Sequence, residues 1–166
     1  VPSRNAGKSD IHVRLCGEDD LVKVQAILQL SPEAAPWGWA SIQEIFKAHL
    51  KYFLIGERNR EVVGFICGRR MLDEAEILNL AVDPRARRLG VANSLLQALL
   101  QTYKSENVLK VFLEVRQSNG AAFEFYSTSG FRVTGKRPNY YRNPDETALI
   151  LTLPLQDSYE SHSVYA

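Results

Sequence analysis

The sequence predicts a mixed α/β fold with one central sheet. Three observations carry that reading. Residues 11–16 and 111–116 alternate apolar with polar side chains, the period-two mark of half-buried strands. Leu21, Val24, Ile27 and Leu28, and later Leu95, Leu96, Leu99, Leu100 and Tyr103, recur at the 3.6-residue spacing of amphipathic helices. Strand-like and helix-like segments are interspersed along the chain, which places helices against a sheet.

Each element follows in order. After the strand at 11–16, Gly17, Glu18, Asp19 and Asp20 end it and open a helix with acidic residues suited to its first turn. Residues 31–40, SPEAAPWGWA, are a loop with two prolines and both tryptophans. A second helix is expected over 41–50, capped by Ser41 with Glu44 three residues on. Strands at 52–55 and 61–67, joined by the polar turn ERNR at 57–60, read as an antiparallel hairpin. The next strand, 76–82, stops at Asp83-Pro84, because proline has no N–H for a ladder. A helix follows whose apolar stripe is Ala92, Leu95, Leu96, Leu99, Leu100 and Tyr103. Then come a strand at 111–116 and a helix over 119–129 that Gly130 ends in a left-handed cap. Strands at 131–135 and 147–153 close the chain, and KRPNYYRNPDE at 136–146 is read as a long polar connection between them. The middle strand–helix–strand should be parallel and right-handed. A ligand is then expected near the carboxyl end of the strand that finishes at Val82.

Composition narrows the function. The chain has 166 residues, 45% hydrophobic and 23% charged, and a net charge of +1. That fits one domain, expected over 11–154, with flexible ends at 1–10 and 155–166. So small a net charge provides no field to recruit nucleic acid or a membrane surface. No apolar run approaches a membrane span, and residues 1–10 hold no apolar segment of the secretory kind. The two cysteines, Cys16 and Cys67, form no CxxC pair and no metal-ligand spacing, so no metal is expected. They read as buried small hydrophobes in a reducing cytoplasm.

The segment from Glu74 to Leu100 is the most informative. A strand leads into a turn carrying Arg85, Arg87 and Arg88, and Gly90 stands where a helix begins. The first N–H groups of a helix lack intrahelical acceptors, and the helix dipole adds positive charge at that end. Such a turn can hold a phosphate, and small residues at Gly90 and Ala92 let it approach the main chain. The spacing is neither a Walker loop nor a three-glycine dinucleotide fingerprint. Taken alone, it also fits a solvated, arginine-rich turn. Two readings of Glu114 likewise stand open: an ion pair with Arg116 or with an arginine of a neighbouring strand, or a proton acceptor in a half-buried strand. Tyr126 reads as a core tyrosine and Asn119 as a helix N-cap. Trp37, Trp39, Tyr140 and Tyr141 could line a pocket or cover the core.

Four segments together resemble the GNAT acetyltransferases, most closely those acting on the N-terminal alanine of ribosomal proteins. NLAVDPRARRLGVA, from Asn79, is similar to the family's acetyl-CoA motif Arg/Gln-x-x-Gly-x-Gly/Ala, filled by Arg87, Gly90 and Ala92. LEVRQSN from Leu113, AAFEFYSTSGF from Ala121 and NYYRNPDETALIL from Asn139 resemble the next strand, the following helix and the closing hairpin. Pro36-Trp37 resembles a substrate-side loop.

The resemblance implies a mostly antiparallel mixed sheet with about four helices, in which a central parallel strand pair splays to admit acetyl-CoA. It implies that Leu80, Ala81 and Val82 offer backbone to the pantetheine arm. Arg88, Leu89, Gly90, Val91, Ala92 and Asn93 would cradle the pyrophosphate, with Arg87 flanking it and Asn119 hydrogen-bonding the co-substrate. Glu114 would be the proton acceptor and Tyr126 the proton donor, with Trp37, Tyr140 and Tyr141 on the acceptor side. The implied acceptor is a protein N-terminal amine, such as that of an Ala-initiated ribosomal protein. A small-molecule amine, a lysine, or a non-catalytic CoA-binding role are the alternatives. Asn93 departs from the small residue often found at its position.

Overall fold

The computed structural model describes residues 11–156. The expectations for residues 1–10 and for the tail beyond 156 lie outside them. Within that range lie seven strands, mostly paired antiparallel, and four α-helices, the mixed α/β class expected from the sequence. Among the described residues two compact units are distinguished, one holding 11–69 together with 76–103, the other 70–75 and 104–156. Among the described residues no helix is long and apolar enough to cross a membrane.

In the first unit the strands β1 (His12–Leu15), β2 (Phe53–Arg58), β3 (Glu61–Met71) and β4 (Glu74–Val82) lie in that order. β2 and β3 form the expected hairpin, closed by Asn59 and Arg60, whose φ angles of 53° and 66° make a two-residue turn matched to strand twist. On one face lie α1 (Leu21–Gln29) and α2 (Trp39–Ala48). Their Leu21, Val24, Ile27, Leu28 and Ile42 bury against Phe53, Ile55, Phe65 and Cys67.

On the other face of β2 and β3, glycines alternate with the Leu54–Ile66 pair. Gly56 and Gly64 are paired across the ladder, and Gly68 follows on β3. Helix α3 (Val91–Ser105) is seated there through Val91, Leu95, Leu96, Leu99, Leu100 and Tyr103, all buried. A Cβ on Gly64 would stand 2.9 Å from Val91 Cγ1 and 3.1 Å from the Ala81 carbonyl oxygen. At Gly68 it would strike the Tyr103 hydroxyl, which donates towards the carbonyls of Arg69 and Glu76, each at 3.3 Å. The expected stripe is therefore right except at its first residue: Val91 is buried and Ala92 only half so.

In the second unit, β5 (Lys110–Arg116), β7 (Glu146–Pro154) and β6 (Arg132–Tyr141) lie in that order, with α4 (Gly120–Thr128) between β5 and β6 in the chain. Val111, Leu113 and Val115 are buried and Phe112, Glu114 and Arg116 are half-buried, as the alternation predicts. Gly130 takes φ 98° beyond the end of α4.

Several boundaries differ from expectation: β2 runs to Arg58 and β3 to Met71, beyond 55 and 67, and two further differences bear on the site. Helix α2 opens at Trp39, directly after Gly38, so Ser41 lies within the helix and caps nothing. Trp37 packs on Phe65 with ring centroids 6.4 Å apart, which fixes where the chain turns into the helix. Residues 136–141 are not a loop either. They continue β6, because β7 supplies backbone partners at Lys136, Arg137 and Tyr141, with an irregularity at Asn139 (φ 54°).

Arg14 fastens the edge strand. It donates to Asp20 Oδ2 and Oδ1 at 2.7 and 2.9 Å and to Glu57 Oε1 at 2.7 Å. The hydrogen bonds from Arg14 hold the Asp20 carboxyl below its ordinary value. A depressed carboxyl contributes stability that is present above its unfolded-state value and lost as pH falls through its folded-state value. Arg14 is more than a third exposed, so the contribution is discounted to about 1 kcal/mol. Thermal melts of R14Q should accordingly fall below those of the parent by a few degrees at pH 7, and the gap should close as pH falls through the depressed folded-state value of Asp20. A gap that persists in acid would refute the linkage.

Candidate active site

The turn after β4 is built by Asp83, which is buried and accepts from the Arg85 N–H at 2.9 Å. Pro84–Ala86 form one 3-10 turn, and Gly90 takes φ 86° with open space where a Cβ would point. Ser94 N–H donates to the Gly90 carbonyl at 3.0 Å, so α3 starts directly after the glycine. Its first N–H groups, at Val91, Ala92 and Asn93, lack intrahelical acceptors, which makes them donors for an anion. Leu89, Gly90 and Asn93 are exposed on this turn.

The three arginines are not equivalent. Arg85 grips Asp83 through Nε and Nη2, at 3.2 and 2.8 Å, and holds that carboxyl below the usual carboxylate range. Arg87 points to the 31–40 loop: Nη2 donates to Glu33 Oε1 at 2.6 Å and towards Ser31 Oγ at 3.5 Å, while Nε donates to the Val82 carbonyl at 3.3 Å. Arg88 has φ 62°, is exposed, and among the described residues meets no carboxylate. An open glycine, unpaired helix N–H groups and a guanidinium that meets no carboxylate among the described residues can together accept an anion. Just upstream on β4, Ala81 is buried, and Leu80 and Val82 are half-buried.

In the second unit Glu114 is 14% exposed, and Arg137 Nε pairs with its Oε1 at 3.1 Å. This is the arginine pairing the sequence left open, reached across β7, since Glu114 and Gly135 both register with Ile150. The Arg137 guanidinium also lies 5.5 Å from the Tyr140 ring. A second set stands beside it: Arg116 pairs with Glu146 at 3.2 Å and stacks 4.1 Å over Tyr141. Burial, and next the charge of Glu114, raise the Tyr141 phenol. Tyr140 and Tyr141 thus sit on a strand, each against a guanidinium, and not in a loop.

Tyr126 is buried on α4 against Phe125 and Phe131, at 5.0 and 5.4 Å. Burial pushes its phenol well above the ordinary value. Among the described residues its hydroxyl has no hydrogen-bond partner. Asn119 caps α4, its Oδ1 accepting from the Ala122 N–H at 3.1 Å, which leaves its amide NH2 to donate elsewhere. Trp37 is half-buried on the core of the first unit. Among the described residues no cluster of three metal-ligating side chains occurs.

Sequence reasoning did not find Glu33, Asn79, Arg137 or Glu146 as partners of site residues. For Asn79 a signal existed: a buried asparagine in an apolar strand needs a partner, and its Nδ2 donates to the Ala35 carbonyl at 3.1 Å.

Residues 21–131 match the acetyltransferase (GNAT) family, and the chain belongs to it. The ribosomal protein bS18-alanine N-acetyltransferase of Escherichia coli K12 is 38% identical over 100 residues, 59% of this chain and 68% of that protein. Among solved structures, Ard1 from Thermoplasma volcanium superposes with a TM-score of 0.83 at 33% identity, covering 89% of this chain and 99% of that one. The Escherichia coli ribosomal-protein-S18-alanine N-acetyltransferase gives 0.76 at 29% identity, covering 92% and 98%. Enzymes of this family use acetyl-CoA.

Removing the unpaired guanidinium should cost co-substrate affinity. R88A is expected to weaken acetyl-CoA binding about tenfold, the worth of one charge-assisted hydrogen bond, and by more at low ionic strength. Calorimetry at two salt concentrations reads this. An unchanged dissociation constant at both would remove Arg88 from the site.

Proposed function

We propose that this N-acetyltransferase moves the acetyl group of acetyl-CoA to the α-amine at a protein N-terminus, with an Ala-initiated ribosomal protein as acceptor. The observation that carries the reading is Glu114, a half-buried strand carboxylate whose existing partner is a cation, Arg137. A carboxylate so placed accepts a cationic group, and the α-ammonium of a peptide is one. The names of the relatives point to the same acceptor class. Two buried, free cysteines suit a reducing, cytoplasmic place of work.

The chemistry favours an α-amine over a lysine. An α-amine titrates near 7.7–8.0 and a lysine near 10.4, so at neutral pH only the former is neutral in useful amount. Glu114 takes the proton as the amine attacks, directly or through a water, a contribution of about 10²–10⁴-fold. Arg88 and the first N–H groups of α3 hold the diphosphate, and the backbone of Leu80, Ala81 and Val82 lines the pantetheine arm. A backbone N–H near Val82 stabilises the charge that develops on the carbonyl oxygen, an effect of about 10²–10³-fold per donor. Acetyl-CoA supplies the thioester and a thiol leaving group.

Tyr126 faces that leaving sulfur as a hydrogen-bond donor more than as an acid. A thiol titrates near 8.5 and an ordinary phenol near 10, so proton transfer is already uphill by about 2 kcal/mol. Burial raises the Tyr126 phenol further and makes transfer harder still, while keeping the O–H intact to donate. Trp37, Tyr140 and Tyr141 are assigned to acceptor contact.

E114Q should lower kcat by about a hundredfold or more while leaving acetyl-CoA affinity within twofold. Y126F should lower turnover more than co-substrate affinity. Acetyl-CoA consumption with an Ala-initiated ribosomal-type peptide, set against polyamines, free amino acids and a lysine peptide, decides the acceptor. Preference for a polyamine or the lysine peptide would overturn the N-terminal assignment. Turnover unaffected by E114Q would overturn the role of Glu114.

A further inference from the structure

Of the three arginines in the turn after β4, one is turned away from any diphosphate and towards the loop before α2. We propose that Arg87 is a positioning residue for the 31–38 loop and not a diphosphate ligand, so that the co-substrate turn and an acceptor-selecting loop are latched together. The inference rests on the acetyltransferase reading, with this loop on the acceptor side.

Three acceptors hold the guanidinium: the Glu33 carboxylate at 2.6 Å, the Ser31 hydroxyl at 3.5 Å and the Val82 carbonyl at 3.3 Å. Two belong to the loop and one to the last residue of β4, so a single side chain bridges the loop and the strand that feeds the turn. A second pin lies deeper. Asn79 on β4 is buried, and its amide donates to the Ala35 carbonyl at 3.1 Å. Between the pins the loop is compact. Ser31 is buried, Ala34 N–H donates to its carbonyl at 3.0 Å, and Ala34 and Trp37 rest on the core.

The two pins differ in strength. The Asn79 side chain is buried, so its amide is costly to leave without an acceptor, while the Ala35 carbonyl also accepts from the Trp37 N–H at 2.9 Å. The Arg87–Glu33 pair is 44% exposed at both ends, and such pairs are individually weak. Asn79 therefore fixes where the loop lies, and Arg87 sets how firmly its outer part, Pro32 to Pro36, is held. Arg88, with no carboxylate partner, is left to meet the diphosphate. The latch makes Arg87 matter to the acceptor more than to the co-substrate.

The test uses the full chain with R87Q, E33Q and the charge swap R87E/E33R. The two tryptophans of the protein, Trp37 and Trp39, stand in or beside the loop, so intrinsic fluorescence reports its state without turnover. R87Q and E33Q should each shift that emission and raise the KM for the acceptor peptide about threefold to tenfold. Both should leave the acetyl-CoA dissociation constant within twofold, and the swap should restore both readouts. R87K should fall between parent and R87Q. A tenfold loss of acetyl-CoA affinity in R87Q with emission unchanged would overturn the latch and make Arg87 a diphosphate ligand. Emission and acceptor KM that both stay at the parental values would overturn it too. If no amine is acetylated by the parent, the acceptor reading fails, and emission and acetyl-CoA affinity still decide the latch.

Discussion

The site depends first on the seating of α3 against three glycines of the sheet. Gly56, Gly64 and Gly68 remove the Cβ atoms from the face of β2 and β3 where Val91, Leu95 and Tyr103 must lie. Filling that face would push out the first turn of α3, and the first turn is what presents N–H groups to an anion. Gly64 is the tightest point that also bears on the turn, since its neighbours are Val91, the first residue of α3, and the Ala81 carbonyl on β4. The helix approaches closely at these glycines, and its N-terminus is placed by that approach.

Charge is distributed with similar economy. Arg85 pairs with Asp83, Arg87 with Glu33, Arg116 with Glu146 and Arg137 with Glu114. In the proposed reading, attraction for an anion comes from Arg88 and the helix terminus together, not from a broad basic field, which fits a net charge of only +1. The partner of each guanidinium matters more than the number of them.

What could be read from the chain were the features with local periods. The alternation in β5 placed Glu114 beside a buried triad because period two is a property of adjacent residues. The α3 stripe and the left-handed Gly130 were legible for the same reason. The extension of β6 was not, because Lys136 to Tyr141 contains a proline and little apolar alternation. Its strand geometry comes from β7, a partner that no local window contains. The ion pairs of Arg87 and Arg137 join residues that only the folded chain brings together. The close seating of α3 did leave a trace: an isolated glycine within a strand pattern signals a close approach of backbone, and β2 and β3 carry three.

The pairing of Glu114 with Arg137 bears on how a general base can sit half-buried without being wasted. A lone carboxylate there would be costly to desolvate, and a permanently neutral one could not take a proton. Arg137 meets the first difficulty in the free protein: it supplies a cation, and its exposed, tyrosine-stacked head is held by a weak pair that a stronger competitor can break. In the proposed reaction the acceptor brings its own positive charge as an ammonium. Exchanging one cation for another at Glu114 costs far less than introducing a charge where none stood. Once the proton has moved to Glu114, nothing cationic remains there except Arg137, and its return to the restored carboxylate would favour release of the neutral amide. The same ion pair that looks structural in the free protein is therefore compatible with Glu114 serving as the proposed base.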